Sequence, residues 1–332
     1  MTPLLTHTPT RALLPALLLL SFLLLSLLPL LSGCGTQAQN GAKVQDILKE
    51  AQRHAQVDPN DKQTREWVDR AIAIDPKNAE TYVGQVDPNG IFPFLSVADV
   101  FSTAGDDTAL VEYMSQAAQK FPEDGRPLQI LVDALGRLGR TAERKAAAAK
   151  LAVILTKQLA KPGAQNLEGL SVARAQALWD SGDTAGATAE YRKGIQAYPT
   201  ISFFPNGLAY NFAEAKTNLP EALTLAQKGL SLAQGSTSDS KDSEVAVVQD
   251  TLGWVQYRLG DLKSAELNLQ EAVSAIPRQP ELRYHLGTVY AAEGKTDAAR
   301  SEFTQALRIS QGYLAAKQAL AALSVPPTPS SS

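Results

Sequence analysis

The pair Leu252-Gly253 returns 34 positions later as Leu286-Gly287, Gly260-Asp261 returns as Gly294-Lys295, and Ala272 returns as Ala306. A period of this length makes each unit one small supersecondary element. Such a unit cannot bury its apolar face alone, so the core must come from stacking neighbours. Inside a unit, apolar residues spaced at i, i+3 and i+4 share one face of a helix. Small residues such as Gly253 and Ala265 let two antiparallel helices approach closely. Gly260-Asp261 ends the first helix in a turn open to left-handed backbone, and Pro277 ends the second because it has no N–H to donate. Aromatics make up only 6% of the residues and Ala-rich stretches dominate, a helical composition. The fold class expected is all-α.

These residues resemble the tetratricopeptide repeat. One copy supplies Leu252, Gly253, Ala265, Leu269, Ala272 and Pro277; the next supplies Leu286, Gly287, Tyr290, Ala299, Phe303 and Ala306, with Gln311 where the proline would stand. The same ruler laid upstream finds Phe101, Gly105-Asp106, Ala117 and Pro122, then Leu135, Gly139 and Ala148, then Ala175, Gly182-Asp183, Tyr191 and Pro199. The resemblance implies a right-handed superhelical solenoid over residues 45–324, with candidate repeats at about 45–78, 91–124, 125–158, 168–201, 202–236, 246–279 and 280–313 and a final helix to about 324. Turn-rich interruptions at Gly84 to Pro93, Lys161 to Asn166 and Gly235 to Ser243 read as inserted loops. Residues 34–44 read as a tether, and the Pro/Ser-rich residues 325–332 as a disordered tail.

The N-terminal region makes a separate claim. Arg11 is followed by a long apolar run, Ala12 to Leu31, and then by Leu31-Ser32-Gly33-Cys34, which holds the chain's single cysteine. This order resembles a bacterial lipoprotein signal. The resemblance implies cleavage after residue 33, diacylglycerol on the sulfur of Cys34 and acylation of the new amino group, so that residues 1–33 are a signal peptide and Cys34 is the lipidation site. Several acyl chains hold a protein stably where one holds it only marginally. The expected location is the extracytoplasmic cell envelope, on the outer membrane if there are two. The alternatives are an uncleaved transmembrane anchor over Ala12 to Leu31 and a secreted protein with a free thiol.

Without residues 1–33 the chain carries 30 basic and 34 acidic side chains, a net charge of −4. No Lys/Arg run argues for nucleic acid. With one cysteine and with His54 and His285 far apart, the usual metal and nucleophile constellations are missing, and no cofactor, metal or catalytic residue is expected. Family resemblance places partner contacts on the concave face of the first helices: Asp250, Trp254, Tyr257, Arg258, Tyr284 and Thr288, with Val247, Glu281, Gln176, Trp179 and Asp180 at related positions. Trp, Tyr and Arg are the residue types of interface anchors. The same aromatics could instead glue one helix pair to the next. Acid pairs such as Asp106-Asp107 read as helix caps. The function expected is a non-enzymatic, lipid-anchored scaffold that binds a protein or peptide. Small-ligand capture in the groove is one alternative, and an enzyme with a site in the 83–94 insertion, around Asp87, Pro88, Asn89 and Gly90, is another.

Overall fold

A computed structural model describes residues 34–57, 62–86 and 90–323. The expected signal peptide, the Pro/Ser tail and the Asp87 to Asn89 part of the 83–94 insertion lie outside the described residues. Every regular element among the described residues is helical. Helix α1 (Cys34–Val57) packs on α2 (Lys62–Ile74), and after one 3-10 turn α3 (Ala79–Val86) leads into the main array. The array pairs α4 (Phe92–Ala104) with α5 (Asp107–Lys120), α6 (Arg126–Arg137) with α7 (Thr141–Leu159), and α8 (Leu167–Ser181) with α9 (Thr184–Ala197). It continues with α10 (Phe203–Ala215) and α11 (Leu219–Gln234), α12 (Lys241–Leu259) and α13 (Leu262–Ala275), α14 (Pro280–Ala292) and α15 (Thr296–Ile309), and ends in α16 (Leu314–Ala322).

The hairpin turns follow the local chemistry of the repeat. Gly105, Gly139, Gly182, Gly260 and Gly294 all have φ between +69° and +99°, a region that L side chains avoid. The next residue then caps the second helix: Asp106, Asp183 and Asp261 accept from the backbone N–H of Ala109, Gly186 and Ser264. Where glycine is missing, between α10 and α11, Lys216 and Asn218 take up the left-handed backbone. The helices touch through small residues. A Cβ added to Gly253 would sit 2.8 Å from Leu269 Cγ, and one on Gly287 would sit 2.7 Å from Phe303 Cε1.

The core is a relay of clusters, the first three overlapping in sequence and the last joined to them through Tyr284. It runs from Val44 to Ala177, from Ala175 to Val255, from Ala246 to Val289, and from Ala306 to Ala316. This is the continuous nearest-neighbour core that stacking requires. Three local features differ from the sequence expectation. Residues 34–44, expected as a tether, open α1: the segment has no proline, and Val44 and Leu48, one turn apart, are both buried. Ala79 to Val86 forms a helix that runs into the segment read as a loop, with Tyr82 and Val86 buried one turn apart. Helix α12 begins at Lys241, inside the expected loop, with Asp242 and Glu244 in its first turn where acidic side chains are favoured.

Candidate functional site

Helices α8, α10, α12, α14 and α16 touch in succession, so the first helices of the hairpins form an inner row. Trp254 stands at its centre, 2% exposed. Its indole N–H donates to Glu214 Oε1 on α10 at 2.6 Å. Its ring lies 4.1 Å from the imidazole of His285 and 4.9 Å from the ring of Tyr257, both nearly parallel, and the Arg258 guanidinium sits 4.3 Å above it. Arg258 also reaches Glu214, at 3.4 Å. His285 Nδ1 lies 2.9 and 3.0 Å from the two oxygens of Asp250, and both side chains are buried. Burial alone would lower the imidazole pKa, but the charge and hydrogen bond of Asp250, with Glu214 and Glu281 behind it, hold it above its ordinary value.

The six concave-face residues thus separate by exposure. Asp250 and Trp254 are buried and form a base, whereas Tyr257, Arg258, Tyr284 and Thr288 are half-buried and stand on it. Thr288 donates back to the carbonyl of Tyr284 one turn earlier, at 2.8 Å. Tyr284 packs edge-on against Tyr313, with ring centroids 5.5 Å apart, and burial raises its hydroxyl pKa. On α8, Gln176 accepts from the Tyr191 hydroxyl and donates to Asp180, and Asp180 also takes Arg144 at 2.9 Å. Burial, opposed by Arg144 and Gln176, raises the Asp180 carboxyl. Trp179 packs edge-on against Phe212, Val247 packs partly buried against the cluster of α13 and α14, and Glu281 faces Arg137 at 3.6 Å.

Sequence reasoning missed Glu214 and Arg137, and it gave His285 no part in the site. The Asp250–His285 separation is 35 residues, one repeat plus one, so that pair could have been found from the period alone. Glu214 lies 40 residues before Trp254, because the 235–240 connection breaks the count. Asp107 corrects the expectation for the Asp106-Asp107 pair. Only Asp106 caps α5 through its side chain, while the Asp107 carboxylate is 4% exposed and takes two hydrogen bonds from Arg137 at 2.9 and 2.7 Å. No group of three or more His, Cys, Asp or Glu among the described residues could hold a metal ion, and none of the described helices is long and apolar enough to cross a membrane.

Repeated helical hairpins, glycine turns with aspartate caps and an inner row of aromatic and charged side chains define the class: an all-α solenoid of stacked hairpins. Residues 280–313 match the family model described as Tetratricopeptide repeat. The chain thus carries a tetratricopeptide repeat at 280–313, and hairpins before it repeat the same glycine-turn chemistry. No curated protein sequence matches it. Among solved structures it is similar to the APC/C hetero-tetramer Cut9-Hcn1, at 14% identity and a TM-score of 0.45; the match covers 85% of this chain and 53%, about half, of that one. It is also similar to TTC0263, a thermophilic TPR protein in Thermus thermophilus, at 17% identity and a TM-score of 0.46, covering 60% of this chain and 98% of that one. A third is YrrB, a TPR protein with an unusual peptide-binding site, at 16% identity and a TM-score of 0.36, covering 63% of this chain and 98% of that one.

Proposed function

We propose that this protein is a non-enzymatic scaffold that holds a protein or peptide partner on its inner row, tethered to an envelope membrane through lipid on Cys34. Stacked-repeat proteins use their concave surfaces for binding. The observation that carries the reading is the graded exposure around Trp254: half-buried Tyr257, Arg258, Tyr284 and Thr288 stand on a buried base of Trp254, Asp250 and His285. A rigid aromatic and arginine surface on a desolvated base is the composition of an interface hot spot. The lipid attachment rests on Leu31-Ser32-Gly33-Cys34 and the apolar run before it.

The test is capture from detergent-solubilised membranes, comparing the wild-type chain with a Tyr257→Ala/Thr288→Ala variant that leaves the Trp254–Glu214 and Asp250–His285 contacts in place. The captured protein should fall by about tenfold or more in the variant, as truncation of an anchor costs about 2 kcal/mol, with helicity by circular dichroism unchanged. Undiminished capture would move the binding face elsewhere. If no protein is captured and a metabolite raises the melting temperature, the groove is a small-ligand site instead.

A further inference from the structure

Elsewhere among the described residues the helix packing runs from each hairpin to its neighbours, yet the α15–α16 turn meets the α4–α5 turn across more than 200 residues of sequence and the α6–α7 turn across about 175. The Gln311 N–H donates to the Gly105 carbonyl at 3.1 Å, and the Gln311 side-chain amide reaches the Ala104 carbonyl at 3.4 Å. The Ser310 hydroxyl donates to Asp107 Oδ2, the oxygen that Arg137 leaves free. Arg137 then spans from Asp107 to Glu281 at the start of α14. The approach is close enough to exclude side chains. A Cβ on Gly105 would lie 2.6 Å from the Ile309 carbonyl oxygen, one on Gly139 2.3 Å from Leu314 Cδ2, and one on Gly312 2.5 Å from Leu138 Cδ2.

We propose that this seam is a latch: it closes the superhelix on itself, and it must open before a partner reaches the inner row. The proposal rests on the scaffold reading above. Two contacts tie the latch to the binding face. Tyr313, at the N-terminus of α16, packs on Tyr284, and Glu281, which pairs with Arg137, lies one turn before His285. A seam of this make-up opens more readily than a hairpin junction. It consists of hydrogen bonds to main-chain carbonyls, one charged cluster and the approaches of Leu138 to Gly312 and Leu314 to Gly139, whereas the hairpins share the apolar core.

Two experiments on the full chain carrying Cys34→Ser, in detergent, test the latch without any partner. A Cβ on Gly139 would sit 3.5 Å from Leu314 Cβ, within the roughly 3.5–4.5 Å of a disulfide. A Gly139→Cys/Leu314→Cys variant should therefore cross-link under mild oxidation. Leu138→Cys/Gly312→Cys serves the same purpose without placing a side chain at a left-handed position. In the second experiment, Thr288→Cys on the inner row is labelled with a 5 kDa maleimide-polyethylene glycol, with and without Gly312→Arg to wedge the seam apart. The wedge should speed labelling by about tenfold or more, as expected when access is limited by an opening step. Cross-linking in neither pair, or equal labelling rates in both forms, overturns the latch. Failure of the scaffold reading registers separately, as undiminished capture by the Tyr257→Ala/Thr288→Ala variant.

Discussion

Asp250→Asn is the most informative single substitution, because it removes one charge from a buried pair and leaves the side-chain shape almost unchanged. In the wild type, Asp250 holds the His285 imidazole protonated against the cost of burial. The folded pKa therefore lies above the roughly 6.5 of an unfolded histidine. Stability from the pair is fully present below about pH 6.5 and is lost as pH rises through the folded value. At pH 6 the substitution removes a hydrogen bond between charged groups, worth about 1.5–3 kcal/mol, which at about 2–4 °C per kcal/mol in a large domain lowers the melting temperature by roughly 5 °C. Once the pH has passed the folded value the imidazole is neutral, and its N–H still finds the Asn carbonyl, so the loss shrinks to about 1 kcal/mol or less. Thermal melts of both proteins at pH 6 and pH 9 measure the difference. NMR titration of the His285 Cε1–H should show its pKa falling in the variant. An equal loss at both pH values, or an unmoved titration, would refute the charge-pair account and leave a packing role only.

Three further outcomes are expected. Cys34→Ser should accumulate an unprocessed precursor that takes up no labelled fatty acid, and unchanged processing would end the lipoprotein reading. Ala272→Leu, or Gly253→Ala with its Cβ 2.8 Å from Leu269 Cγ, should cost about 1–3 kcal/mol by overpacking. Thr237→Ala, exposed between α11 and α12, should stay within about 0.5 kcal/mol; equal melting temperatures for the two kinds of variant would contradict the packing at the hairpin crossings. Burial raises Asp99 to about 6 and raises Asp180 above its ordinary value, against Arg65 and Arg144 respectively. The folded state thus holds these protons more tightly than the unfolded chain. Stability should fall as pH rises from about 4 to 6, and a wild-type melting temperature that climbs over that window would show that other groups outweigh them.

The repeat class and much of its local chemistry could be read from the sequence, because they depend on residues close together in the chain. Leu252-Gly253 and Leu286-Gly287 disclosed the period, Gly105, Gly182 and Gly260 disclosed the turns, and Asp106, Asp183 and Asp261 disclosed the caps that follow them. Each is a short-range consequence of backbone sterics or of a helix end with unpaired donors. Tertiary structure decided the rest. Whether Trp254 contacts a partner or serves as a base depends on Glu214 and His285 arriving from two other hairpins. Asp107 looked like a second cap beside Asp106, but Arg137 reaches its carboxylate from the adjacent α6, and only the curvature accumulated over successive hairpins brings Ser310 onto it. A small rotation per repeat is set by side-chain packing at every junction, so the place where the two ends meet is a sum over the whole array and is written at no single position.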